Sequence, residues 1–208
     1  MSASPPPSPA RPVSAIILSA GRSKRMGSEK ALLRFGTETA LARMLRVLRE
    51  ARVEQIVLVL NRDVAPIERA VHLEGLTTVV NPAAERGQTS SIRVGTRNLS
   101  SHCRSFLLCP VDQPLFDARD IEELVTGLEQ APAEISIVAP SVGGRRGHPV
   151  LLRRELALEF QALADDTPAH AVIRRDPGRV LDRVSDNIEL ITDLDSPEAY
   201  EQALKRRS

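Results

Sequence analysis

Residues Val13 to Leu18 form an apolar run too short to cross a membrane, and it stops at Ser19-Ala20-Gly21, after which Arg22, Lys24, Arg25 and Lys30 follow. A run this apolar reads as a strand covered on both faces, which points to a sheet with helices on either side. Its small-residue end lets a ligand come close to the backbone, because Gly21 carries no side chain and can adopt positive φ. Free amides there, with the cations beyond, make a polyphosphate site; the plainer alternative is a strand-to-loop junction whose basic residues only solvate it. Two familiar phosphate loops are excluded by spacing. Five residues rather than four separate Gly21 from Gly27, with Ser28 next, and Ser23 stands where a dinucleotide fingerprint has its second glycine.

The rest of the chain repeats a strand and helix rhythm. Thr37 or Thr39 caps a helix with Leu41, Met44, Leu45 and Leu48 at helical spacing. Glu54 to Leu60 is a second apolar strand. Pro66 opens a short helix through Ile67, Ala70 and Val71, and Thr77 to Val80 is a third strand. Asn81-Pro82 ends it, and Thr89, Ser90 or Ser91 falls at the start of a helix through Ile92, Val94 and Leu99, where amides and hydroxyls either bind an anion or polar base edge or only cap the helix.

Ser105 to Cys109 is the next buried strand and runs into Pro110-Val111-Asp112-Gln113-Pro114. An acidic side chain just past the carboxyl end of a central strand sits where open α/β sheets bind ligands, so Asp112 can hold Mg²⁺. Asp117 is better placed to cap the following helix through Ile121, Leu124, Val125 and Leu128. Ile135 to Ala139 is a strand closed by Pro140. Val142 to Pro149, with Gly143, Gly144, Arg145, Arg146, Gly147 and His148, is either a second anion site or a hairpin tip. Leu156, Phe160 and Leu163 mark a helix, and Thr167-Pro168 starts a shorter one. Val180 to Val184 and Ile188 to Ile191 read as strands. Ser196-Pro197-Glu198 starts the last helix and leaves Asp193 and Asp195 on the loop before it, where one of them can join Asp112 around Mg²⁺.

A length of 208 residues suits one large domain, here residues 13–208, preceded by a proline-rich tail over residues 1–12 that cannot bury apolar surface. A net charge of +1 and an aromatic content of 2% speak against a nucleic-acid partner. Cys103 and Cys109 make no metal quartet and read as reduced thiols, and no signal-peptide or membrane-span pattern is seen, so a cytoplasmic protein without a membrane partner is expected.

Five motifs in order carry a resemblance. They are Leu18-Ser19-Ala20-Gly21 with Ser23, Arg25, Met26, Gly27 and Lys30; Asn81-Pro82 with Gly87, Ser90 and Ser91; Asp112-Gln113-Pro114; Arg146-Gly147-His148-Pro149; and Asp193-Leu194-Asp195-Ser196-Pro197-Glu198. From about Val13 to Leu204 the chain resembles the MobA-like nucleotidyltransferases, most closely the molybdenum cofactor cytidylyltransferases.

The resemblance implies a Rossmann-like three-layer α/β fold, similar to glycosyltransferase-A folds, with a mixed, mainly parallel sheet. It implies Mg²⁺-dependent transfer of CMP from CTP to a molybdopterin acceptor with release of pyrophosphate, and a molybdenum hydroxylase as the eventual recipient. Alternatives are a guanylyl- or sugar-phosphate nucleotidyltransferase, or a non-catalytic cofactor- or nucleotide-binding maturation factor. By position, Leu18, Ala20 and Gly21 line base and ribose, and Arg22, Arg25 and Lys30 lie toward the triphosphate. Asn81 with Ser90 or Ser91 contacts the nucleotide. Asp112 binds the metal with Asp195, or else Asp193, as second ligand, and Arg146, Gly147 and His148 face the acceptor. Ala20 favours CTP, Asp193 points the same way, and Ser19 stands where the family usually has alanine.

Overall fold

The computed structural model describes residues 12–21, 29–164 and 167–207. Most of the expected proline-rich tail, and Arg22 and Arg25 of the basic loop, lie outside the described residues.

In chain order the elements are β1 (Val13–Ser19), a small hairpin of β2 (Arg34–Phe35) and β3 (Glu38–Thr39), α1 (Ala40–Glu50), β4 (Gln55–Leu60), α2 (Ala65–Ala70), β5 (Thr77–Val80) and α3 (Gln88–Arg97). Then come β6 (Ser105–Pro110), α4 (Ala118–Gln130), β7 (Ile137–Val142), β8 (Arg145–Arg146), β9 (Val150–Arg153), α5 (Leu156–Ala162), α6 (His170–Arg174), β10 (Val180–Val184) and α7 (Pro197–Arg207). The main sheet has the order β10-β7-β9-β6-β1-β4-β5, with β8 beside β7. Strand β1 pairs in parallel with both β4 and β6, while β9 runs antiparallel between β6 and β7. The sheet is therefore mixed and mainly parallel, as the resemblance implied.

All seven residues of β1 are buried. The alternation of a strand sends Ala15 and Ile17 into one apolar layer, with Leu41, Met44, Ile67 and Leu124 of α1, α2 and α4. Ile16 and Leu18 enter the other, with Ile92, Phe160 and Val172 of α3, α5 and α6. Burying a side chain of this size stabilises by about 1.5–3 kcal/mol, so the continuous apolar runs read from the sequence are what assembles three layers.

Local signals set most helix starts. Thr39, not Thr37, accepts from Ala42 N at 3.1 Å at the start of α1. Asp117 makes a capping box with Asp120 at α4, and Ser196 Oγ accepts from Ala199 N at 3.2 Å in α7.

Two expectations are corrected. Pro140 does not close its strand, because β7 continues to Val142. Pro140 falls between the ladder to β9, which ends at Val138, and the ladder to β8, which begins at Ser141, so its missing N–H costs no bond on that side. Ile188–Ile191 is a 3-10 turn rather than a strand. Asn187 accepts from Glu189 N, which starts a helical turn, and the apolar run was too short to distinguish the two conformations. Among the described residues no helix is long and apolar enough to cross a membrane.

Helix α3 lies unusually close to β1. A Cβ added to Gly95 would stand 2.5 Å from Ile16 Cγ2 and 3.2 Å from Val59 Cγ2, both on fully buried β-branched side chains. Overpacking costs about 1–3 kcal/mol, and better helix propensity returns about 1 kcal/mol. Gly95→Ala is expected to lower stability by about 1 kcal/mol net and Gly95→Val by more, read from thermal melts.

Candidate functional site

The carboxyl ends of β1, β4, β5 and β6 open onto one side of the sheet, next to the start of α3. A cleft of about 430 Å³ there is lined by Leu18, Ser19, Ala20, Gly21, Glu29, Lys30, Ala84, Glu85, Gly87, Gln88, Ser91, Pro110, Val111 and Asp112. A second of about 530 Å³ shares Ala20, Gly21, Glu29, Ala84 and Glu85 with it and adds Asn61, Arg62, Asp63, Asn81 and Pro82. Central β1 has parallel neighbours on both sides, and chain connections leave in opposite directions from it, which is where open α/β sheets form a crevice.

Each part of the wall has a local cause. Gly21 does not take positive φ; its value is the open space in front of it, since an added Cβ would meet none of the described residues within 4 Å. Gly87 has φ 96° and ψ −178°, a region only glycine occupies readily, and it turns the chain into α3, with Gly87, Gln88 and Ser91 lining the cleft. The turn before it is held from within: Asn81 Nδ2 donates to Ser90 Oγ at 2.8 Å and Ser91 Oγ at 3.0 Å, and Ser90 Oγ donates to the Ala83 or Gly87 carbonyl. Asn81 and Ser90 are buried, so they act on this wall chiefly through its shape, while Ser91 reaches the lining.

The opposite wall is acidic, with Lys30 set into it. Val111 N donates to the Leu18 carbonyl, which sets the turn with Asp112 beside the end of β1. Arg43 of α1 donates to the carbonyls of Leu115 and Phe116 at 3.3 and 3.0 Å, pinning the chain just after it. Asp193 and Asp195 flank Leu194, which is fully buried among Leu33, Ala40, Leu115 and Ala203. Leu194 N donates to the Asp112 carbonyl at 2.8 Å, so the two acidic loops are joined through the backbone.

Lys30 Nζ lies between them, 3.2 Å from Asp112 Oδ2 and bonded also to Asp195 Oδ1. Burial works to lower the Lys30 pKa, but the bonds and charges of Asp195 and Asp112 outweigh it and the net shift is upward, so the ammonium stays charged. Next to it, burial and the nearby Asp63 charge raise the Glu29 carboxyl.

The Arg146-Gly147-His148 stretch is the end of a hairpin, with Gly143 and Gly144 at positive φ in its turn. Arg146 pairs through two bonds with Asp182 on β10. Gly147 is pressed on the turn that follows β10: an added Cβ would stand 2.0 Å from the Leu190 carbonyl oxygen. His148 N donates to that same carbonyl at 2.9 Å, and its Nδ1 is buried with no hydrogen-bond partner. None of the three lines either cleft among the described residues, so the structure groups Leu18, Ala20, Gly21, Lys30, Ser91 and Asp112 directly and sets this hairpin behind them. Glu29, Glu85 and Asp63 were missed by the sequence reading, because isolated acidic residues in loops carry no periodic signal.

This arrangement defines an α/β protein with a polar crevice at the carboxyl ends of its central strands. Residues 15–181 match the MobA-like NTP transferase domain, and the chain belongs to that family. A molybdenum cofactor guanylyltransferase of Xanthomonas euvesicatoria is 30% identical over 134 residues, 62% of this chain and 59% of the relative, so the chain spans less than two thirds of that protein. The crystal structure of Rv0371c from Mycobacterium tuberculosis superposes with a TM-score of 0.82 at 25% identity, over 93% of this chain and 97% of the other. A manganese complex of Rv0371c superposes at 0.77 with 22% identity over the same shares.

Burial lowers the His148 pKa below its ordinary value, opposed in part by the Leu108 backbone, Asp112 and Asp193. The folded state then resists the proton that the unfolded chain accepts, so stability is lost as pH falls below about 6.5 and levels off below the folded pKa. His148→Gln is expected to shrink the difference in melting temperature between pH 7.5 and pH 5.5.

Proposed function

We propose that this chain transfers a nucleoside monophosphate from an NTP, with CTP as donor, to a molybdopterin-type acceptor in the cytoplasm, and that the product serves a molybdenum hydroxylase. The observation that carries it is Lys30 held by two carboxylates at the mouth of a nucleotide-sized cleft, in a chain of this family. Leu18, Ala20 and Gly21 take base and ribose, Ser91 and the first amides of α3 take polar edges or phosphate, and Lys30, with Arg22 and Arg25 read from the sequence, takes the triphosphate. The domain over residues 13–208 carries the whole site. The buried free thiols Cys103 and Cys109 support the reducing compartment.

The residues present fit a divalent metal. Asp112 and Asp195 already converge on one cation, the ammonium, and Mg²⁺ takes one or two carboxylates and completes its shell with water and phosphate oxygens. Among the described residues no group of three His, Cys, Asp or Glu gathers as an all-protein cage, which agrees with that mode of binding. When bound, Mg²⁺ would neutralise charge on the phosphates. Asp112 and Asp195 would hold it.

An acceptor phosphate oxygen attacks the α-phosphorus in line, a new P–O bond forms, and the α–β bridge breaks with both electrons leaving on pyrophosphate. A phosphate monoester is already an anion, so no side chain has to remove a proton. Lys30 neutralises the departing charge, and the cleft walls hold donor and acceptor in line.

GTP is the second reading of the donor, favoured by the name of the Xanthomonas relative, whereas Ala20 favours CTP. Pyrophosphate release with molybdopterin is expected from one of these two and not from ATP or UTP. Asp112→Ala and Lys30→Met are each expected to cut turnover by about 10²–10³ with the circular dichroism spectrum unchanged. Full activity of Asp112→Ala would remove the metal assignment, and nucleotide binding without pyrophosphate release from any NTP would establish a carrier instead.

A further inference from the structure

The two acidic loops meet at three points, and two of them involve Asp112 itself. The third does not: Gln113 Nε2 donates to Asp193 Oδ1 at 2.5 Å. The orientation of this amide follows from chemistry. A carboxylate only accepts, so the NH₂ end must face Asp193, and the reverse orientation would set two acceptors against each other. The consequence is that Gln113 Oε1 is turned inward, buried and without a hydrogen-bond partner. An amide oxygen left unsatisfied is a cost that a residue with no local task avoids by turning to solvent.

Leu194 is a buried plug, while Asp193 and Asp195 on either side of it are exposed. The plug and the Leu194 N bond to Asp112 hold the backbone of the segment, and the bond from Gln113 holds the Asp193 side chain to the residue that directly follows Asp112. One side of Leu194 is thus fastened to the Asp112 loop by the amide, and the other side presents Asp195 to the cation shared with Asp112. Because Asp193 is exposed, losing the bond should matter little to global stability and mainly to the spacing of the two carboxylates.

We propose that Gln113 and Asp193 are a positioning pair whose hydrogen bond sets the separation of the Asp112 and Asp195 carboxylates. The inference rests on the reading that these two carboxylates hold a divalent cation together with the nucleotide.

The test is Mn²⁺ binding to the full chain, followed by electron paramagnetic resonance in the presence of CTP and, separately, GTP, with thermal melts alongside. Gln113→Ala, which changes no charge, is expected to weaken Mn²⁺ binding about tenfold with an unchanged melting temperature. Asp193→Ala and Asp193→Asn lose the same charge, but only asparagine keeps the accepting oxygen, so Asp193→Asn is expected to bind several-fold more tightly than Asp193→Ala. Once Gln113 is alanine, changing Asp193→Asn to Asp193→Ala is expected to add nothing. Loss of binding in Asp112→Ala with wild-type binding in Gln113→Ala would overturn the pair while leaving the metal reading intact. Equal binding by wild type and Asp112→Ala would overturn the metal reading, and the pair with it. Equal affinities of Asp193→Asn and Asp193→Ala would also overturn the pair, since charge alone would then account for the effect.

Discussion

Strand β1 is paired on both edges and buried on both faces, and the placement of everything else follows from that constraint. A strand with no free side cannot shift in register without moving an apolar side chain into the wrong layer or breaking a ladder. Its carboxyl end is therefore a fixed point. Asp112 is fastened to it through Val111 and Leu18, α3 packs on the strand with a close approach at Gly95, and the cleft forms between Asp112 and the start of α3.

Electrostatics then shapes the acidic wall of the cleft. Two carboxylates from distant parts of the chain face each other, an arrangement that repels unless a cation sits between. Lys30 supplies that cation, and their attraction outweighs the burial that would tend to neutralise it. The hairpin with Arg146 and His148 lies outside both clefts and is fastened to the turn at Leu190, just before the Asp193 loop.

Much of the scaffold was legible because its causes are local. The apolar runs at Val13, Gln55 and Ser105 became the central strands, and Thr39, Asp117 and Ser196 cap helices where their chemistry placed them. Ile188–Ile191 was misread because four residues of mixed polarity do not report whether Asn187 will begin a helical turn. Pro140 was read as a stop because its tolerance depends on which neighbouring strand stands opposite, a fact about pairing and not about proline.

The site divides along the same line. Amino-acid order alone determined the fold class and the family motifs, since apolar periodicity and short motifs are properties of neighbours in the chain. Only the tertiary structure decided that Lys30 bridges Asp112 and Asp195, that Asn81 works inside a turn, that Arg146 is paired with Asp182, and that Gln113 grips Asp193. Those contacts join residues up to 165 positions apart, and their existence depends on how three layers close around β1, which no local pattern records.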